Sequence, residues 1–207
     1  MRVNHRQKNK KLEKQQLAFD ILTCVRIMAN NNSSHLPKLI AFDLDGTVWK
    51  PDMYELWGGG APFTKTSDPN VLLDTASSNV TLCGNIRNIL TQIASSNFVD
   101  TKVCYVSCTD EPSWAEECLT KFCTDDGTTL ADIVDKDINQ IYKSNKKTHF
   151  QKIHALTGIE FKDMMFFDNE KHNCTSVSQL GVICIHCQNG MDKNVWSQAL
   201  ETFAASI

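Results

Sequence analysis

Leu39-Ile40-Ala41-Phe42-Asp43-Leu44-Asp45-Gly46-Thr47 is the stretch from which the rest of the chain can be read. Four apolar residues in a row suit a strand buried on both faces, as in a parallel sheet covered by helices on its two sides. The run stops at two carboxylates two residues apart, followed by a glycine that permits a sharp change of direction and by a hydroxyl. If Asp43 closes the strand, Asp45 opens the turn and both project over the same sheet edge. One carboxylate placed there can attack a phosphorus atom while the other handles a proton. Two negative charges repel a phosphate, so the chemistry calls for a cation. Mg²⁺, which prefers oxygen ligands and keeps bound waters, is the expected partner.

Outward from this stretch, short apolar runs alternate with amphipathic segments in the manner of βαβ units, which makes the fold class α/β. Strands are predicted over Lys38 to Asp43, Lys102 to Val106, Asp132 to Asp135, Met164 to Phe167 and Val182 to His186. Helices are predicted near 84–97, 112–123, 146–157, 170–180 and 191–205, with Asn97, Gly158 and Gly181 as turn or cap residues. Ligands of an open parallel sheet bind beyond the carboxyl ends of its strands, so the residues after each run carry the functional reading.

The second run ends in Ser107-Cys108-Thr109, where a hydroxyl and free backbone N–H groups at a helix start can take a phosphate oxygen. Alone, this is an ordinary helix cap. Lys146 and Lys147 open a helix whose first residue can neutralise both a nucleophile and a phosphoryl oxygen. His149 and His154, five apart on that helix, lack the spacing of a metal pair and read as structural or surface residues. The fourth run ends in Asp168-Asn169-Glu170, which offers a further oxygen ligand to Mg²⁺ or an N-cap. These signals stand in order at four successive strand ends, and it is their conjunction that argues for one site.

In that order the sequence resembles the haloacid dehalogenase superfamily of phosphohydrolases, and within it the magnesium-dependent phosphatase-1 family. The resemblance rests on Leu36 through Asp45, Trp49, Ala61 through Asp68, Lys146 through Phe150, Thr157-Gly158, Phe166-Phe167-Asp168, Leu180-Gly181-Val182, Ile185 through Met191 and Leu200 through Ala204. It implies a Rossmannoid three-layer sandwich with a mainly parallel sheet and little or no cap. It implies Asp43 as nucleophile and Asp45 as general acid and base, with Leu44, Asp45, Thr47, Ser107, Cys108 and Lys146 around the phosphate. Asp43, the Asp45 carbonyl and the Asp168-Asn169 pair, chiefly Asn169, would hold Mg²⁺. Expected substrates are phosphotyrosine-type side chains of proteins or small sugar phosphates. Three positions depart from the family: Gly46 stands where Tyr is usual, Cys108 where an Arg would contact the phosphate, and Asn169 where the second Asp of the pair is usual. The Cys108 and Asn169 departures leave open a second class, a feebly active or inactive binding or regulatory protein. A dehalogenase is disfavoured, since that chemistry has no use for the Asp45 carboxylate.

Composition bounds the rest. The 207 residues are 42% hydrophobic and carry a net charge of −3, which suits one globular domain. No run of eighteen apolar residues occurs, so no membrane association is expected. Residues 1–14 hold six of the 21 Lys and Arg; the remainder, 15 basic against 23 acidic residues, is a poor candidate for gripping nucleic acid. Residues 1–35 form a basic extension with three open readings: a helix over 11–28, a transit or surface-binding peptide, or an upstream stretch with translation beginning at Met28. Residues 36–207 form the phosphatase domain, with a mobile flap at about 50–82 containing a small hairpin. Nine cysteines, an odd number, argue for reduced thiols in a cytoplasmic or nuclear setting and against zinc. A monomer is expected.

Overall fold

The computed structural model describes residues 36–94 and 98–206. The basic extension and Asn97 lie outside them. A five-stranded sheet runs in the order β7-β6-β1-β8-β9, with every neighbouring pair parallel. Its strands are β1 (Leu39–Phe42), β6 (Lys102–Ser107), β7 (Gln140–Ile141), β8 (Met164–Asp168) and β9 (Ile183–His186). The crossovers carry α1 (Ile86–Ile93), α2 (Pro112–Lys121), α3 (Lys146–Thr157) and α4 (Lys171–Ser178), and α5 (Lys193–Ala205) follows β9.

Alternation along the strands puts a core on each face. Ile40, Phe42, Val103, Tyr105, Met165 and Phe167 point to one side, where they meet residues of α1, α2 and α5. Leu39, Ala41, Cys104, Val106, Met164 and Phe166 point to the other, against Phe150 and Ile153 of α3 and Val177 of α4. With both faces buried, β1 and β8 have no polar residue before their last position, which is why they read as continuous apolar runs. On α1, Ile86, Ile89, Leu90 and Ile93 repeat at three- and four-residue spacing and are all buried. This is the expected α/β sandwich with a parallel sheet. Among the described residues no helix is long and apolar enough to cross a membrane.

Two expectations need correction. Asp132 to Asp135 is not a strand: Asp132 N–H donates to Thr129 Oγ1 (3.2 Å), its carboxylate pairs with Lys136, and the chain turns there. The edge strand is β7, five residues later, paired with Val106 and Ser107. Leu130, Ala131 and Val134 are buried as turn residues, so their apolar signal is real but not that of a strand. The flap is also larger than a hairpin. β2 (Trp49–Lys50), β3 (Thr64–Lys65), β4 (Val71–Leu73) and β5 (Asn79–Leu82) form an antiparallel sheet in the order β2-β5-β4-β3. Its apolar side, with Leu72, Val80 and Leu82, joins the core on the α1 face. The triglycine that precedes β3 is held by Asp74, whose carboxylate accepts from the N–H groups of Gly60 (3.1 Å), Ala76 (2.9 Å) and Ser78 (2.7 Å). A Cβ on Gly59 would stand 1.8 Å from Asp74 Oδ2, so this close approach excludes a side chain.

Candidate active site

Asp43 stands one residue past β1, its N–H donating to the Phe167 carbonyl of β8 at 2.9 Å. The chain then folds back on itself: the Leu44 carbonyl accepts from Val48 N–H at 2.7 Å and Gly46 N–H donates to the Trp49 carbonyl at 2.7 Å. Gly46 takes φ +75°, in the left-handed region that favours glycine. This turn raises Asp43 and Asp45 at the sheet edge while burying Leu44 completely.

Lys146, the first residue of α3, is almost wholly buried and donates to Asp43 Oδ1 and to the Val106 carbonyl. Its Nζ lies 3.4 Å from Asp168 Oδ2 and 5.5 Å from the centroid of the Phe166 ring. Burial works against its positive charge, but the Asp43 and Asp168 carboxylates more than offset this and raise its pKa. Asn145 caps the helix, its side chain accepting from Thr148 N–H at 2.9 Å, and so fixes where the lysine begins. Lys147 points away and donates to Gln179 Oε1.

The two aspartates differ in surroundings. Burial pushes Asp43 up to about 6, with Lys146 opposing the rise and Asp168 adding to it. Asp45 is half-buried and accepts from Trp49 Nε1 at 2.8 Å. Burial pushes it up to about 7; the indole hydrogen bond opposes this, and the charge of Asp43 assists. A carboxylic acid that holds its proton near neutrality suits a general acid.

At the end of β8, Asp168 is fully buried, and its oxygens accept from Glu170 N–H (2.7 Å) and from Asn173 Nδ2 (3.1 and 3.3 Å) besides facing Lys146. Asn169 faces the β1 turn: its N–H donates to Thr47 Oγ1 at 3.0 Å, and its Oδ1 lies 3.3 Å from the same hydroxyl. Thr47 Oγ1 is also 3.3 Å from Asp43 Oδ2. The Asp43 carboxylate and the Asn169 amide oxygen, each 3.3 Å from Thr47 Oγ1, offer with the Asp45 carbonyl two residues on an all-oxygen donor set, which fits a hard cation such as Mg²⁺. Among the described residues no three His, Cys, Asp or Glu side chains gather as a metal site.

The remaining expected site residues are distributed as follows. Ser107 is buried at the end of β6, and its Oγ accepts from Thr109 N–H at 3.3 Å. Cys108 follows it, half-buried; burial raises its thiol pKa against the pull of Lys146, so the thiol stays neutral. Thr47 has no exposure, and its hydroxyl lies 3.3 Å from both Asp43 Oδ2 and Asn169 Oδ1. Leu44 contributes only backbone, since its side chain lies in the core. Lys65, on the flap sheet, has its ammonium 3.5 Å from Cys123 Sγ. His149 is buried on α3 with both ring nitrogens unpartnered, stacked edge-on against Tyr142 at 4.5 Å. The reading of the residues missed Trp49 as the partner of Asp45. The signal available was an indole four residues after a carboxylate across a tight turn. Cys184 and Cys187 have C-x-x-C spacing, but their thiols turn to different partners, the Val182 carbonyl and Thr47 Oγ1.

The family profile of acid phosphatases matches residues 35–206. Magnesium-dependent phosphatase 1 of Homo sapiens is 37% identical over 175 residues, covering 83% of this chain and 89% of that protein. A HAD-like hydrolase superfamily protein of Schizosaccharomyces pombe is 31% identical over 151 residues, covering 70% and 83%. Among solved structures, the N-terminal phosphatase-domain part of BF1531 from Bacteroides fragilis, complexed with Mg, superposes with a TM-score of 0.53 at 16% identity; it covers 82% of this chain, which spans 40% of that one. A predicted HAD-like hydrolase from Porphyromonas gingivalis gives 0.53 at 14% identity, covering 80% and 98%. At such identities the structural likeness is one of fold.

Proposed function

The chain belongs to the acid phosphatase family, and on that premise we propose that it is a Mg²⁺-dependent phosphomonoesterase that works through a phosphoryl group carried on Asp43. The observation that carries the mechanism is the difference between the two aspartates. Asp43 is held by Lys146 and Thr47 at the end of β1, while Asp45, two residues on, is held by Trp49 with its pKa pushed up to about 7. One is fixed for attack and the other retains a proton to give.

In the first step an Asp43 oxygen attacks phosphorus, the bond to the ester oxygen breaks, and the Asp45 carboxyl donates its proton to the departing alcohol. In the second step the Asp45 carboxylate takes a proton from water as that water attacks phosphorus. The bond from phosphorus to Asp43 then breaks and phosphate leaves. Lys146 neutralises Asp43 in the ground state and stands beside the phosphoryl oxygens as charge gathers there, and Asp168 keeps the lysine in place. Asp43, the Asp45 carbonyl and Asn169 would hold Mg²⁺, which supplies the charge that lets a phosphate dianion approach a carboxylate. The β2–β5 sheet packs into the core in the place of a large cap, which favours phosphorylated protein side chains of the phosphotyrosine type or small sugar phosphates.

The test is hydrolysis of p-nitrophenyl phosphate with and without Mg²⁺ by the wild type and by Asp43→Asn. Turnover that needs Mg²⁺ and falls at least ~10³-fold in the folded variant supports the proposal. A folded wild type that binds phosphate without turning over p-nitrophenyl phosphate at any Mg²⁺ level would make it a binding protein instead.

A further inference from the structure

Asn169 is held by Thr47 and by His186. Its N–H donates to Thr47 Oγ1 at 3.0 Å, its carbonyl accepts from His186 Nε2 at 2.9 Å, and its side-chain oxygen lies 3.3 Å from Thr47 Oγ1. The third neighbour is Gly46. A Cβ built on Gly46 would stand 2.3 Å from Asn169 Nδ2 and 2.7 Å from Cγ, closer than any real contact. The amide therefore occupies the space that a side chain at position 46 would take. Thr47 Oγ1 is at the same time 3.3 Å from Asp43 Oδ2, so one hydroxyl spaces the nucleophile from the amide oxygen. The Thr47–Asn169 contacts join residues 122 positions apart in the sequence.

We infer that Gly46 and Thr47 are positioning residues for Asn169 as a Mg²⁺ ligand: the missing side chain at 46 makes its seat, the Thr47 hydroxyl sets its oxygen beside Asp43, and together they favour Mg²⁺ over Ca²⁺. The inference rests on the proposal that Asn169 is a ligand. A neutral amide brings less charge than a carboxylate, so its contribution depends more on being in place. Mg²⁺ demands near-octahedral geometry at short distance, whereas Ca²⁺ accepts a larger and more variable shell. A fixed amide oxygen thus matters more for Mg²⁺, and loosening it costs Mg²⁺ affinity first. A side chain at 46 would swing Asn169 out of its seat, so the glycine in the D-x-D-G-T turn and the amide at the end of β8 form a matched pair.

Isothermal titration of the metal-free full chain with Mg²⁺ and separately with Ca²⁺ tests this without any turnover. The proteins compared are the wild type, Gly46→Ala, Thr47→Val, Asn169→Ala and the two doubles that add Asn169→Ala to each of the others. Expected is a loss of Mg²⁺ affinity of about tenfold in each single variant, a smaller loss for Ca²⁺, and doubles no weaker than Asn169→Ala alone. Thr47→Val keeps the side-chain shape and avoids the φ of +75°, so it carries the test if Gly46→Ala fails to fold. If Asn169→Ala binds Mg²⁺ as the wild type does, the ligand proposal falls and the inference with it. If Asn169→Ala weakens binding but Thr47→Val does not, or their losses multiply in the double, Asn169 is a ligand and the seat is overturned. Equal losses for the two cations overturn the selectivity.

Discussion

Trp49 Nε1 donates to Asp45 Oδ1 at 2.8 Å, so the group proposed to handle the proton is oriented by a neutral indole and not by a cation. A neutral donor steadies a carboxylate less than a lysine does, and burial wins, pushing Asp45 up to about 7. The acid form is therefore present below that pH and lost as pH rises through it. With an alkyl phosphate, whose departing oxygen needs a proton, kcat/KM falls roughly tenfold per pH unit above about 7; with p-nitrophenyl phosphate the fall is shallower. Trp49→Phe removes a hydrogen bond that favours the ionised form, so the descending limb moves to higher pH. A flat profile from pH 6 to 9 for the alkyl substrate contradicts the assignment.

Removing the Lys146 charge leaves Asp43 and Asp168 buried and facing one another. Breaking a buried pair in this way costs about 3–5 kcal/mol, so Lys146→Met lowers the denaturation midpoint at neutral pH. The loss shrinks in acid, where the carboxylates take up protons. Urea denaturation of both proteins at pH 7.5 and pH 5 measures it, and an unchanged midpoint at pH 7.5 contradicts the role given to the lysine.

His149 gives a second stability effect that depends on pH. Burial, helped by the Lys146 charge, pushes its pKa down to about 4. Between the ordinary value near 6.5 and about 4 the unfolded chain binds a proton that the folded one does not, so this contribution is whole above 6.5 and is lost as pH falls, by at most about 1.4 kcal/mol per unit. Asp43 and Asp45, with raised pKa values, act in the reverse sense over the same range. The difference between wild type and His149→Phe isolates the histidine. The variant gains stability relative to wild type as pH drops from 7 to 4.5; parallel curves contradict this.

Those strands that carry the site were legible because each is buried on both faces and ends in a chemically distinct residue: Asp43 after β1, Ser107 on β6, Asp168 on β8. The two-residue strands β2, β3 and β7 were not, since two residues have no periodicity. The flap sheet exists through pairings such as Trp49 with Leu82, which no local pattern announces. The same holds in the site. Asp43, Lys146 and Asp168 come together as read, whereas the contacts of the Thr47 hydroxyl with Asn169, which arrives from β8, have no local signal. Contacts across such separations belong to the fold and leave no trace in spacing.

Transfer of the phosphoryl group to Asp43 is tested most directly by acid quenching of Asp45→Asn during turnover of p-nitrophenyl phosphate with Mg²⁺, followed by mass analysis of its peptides. That variant keeps the nucleophile, needs little acid help with a good leaving group, and lacks the base for the second step, so the phosphoryl-enzyme accumulates. The account predicts one phosphoryl group on the peptide containing Asp43, absent without Mg²⁺ and absent in Asp43→Asn. Phosphate released with no labelled peptide at any quench time, or a label on another residue, would contradict it.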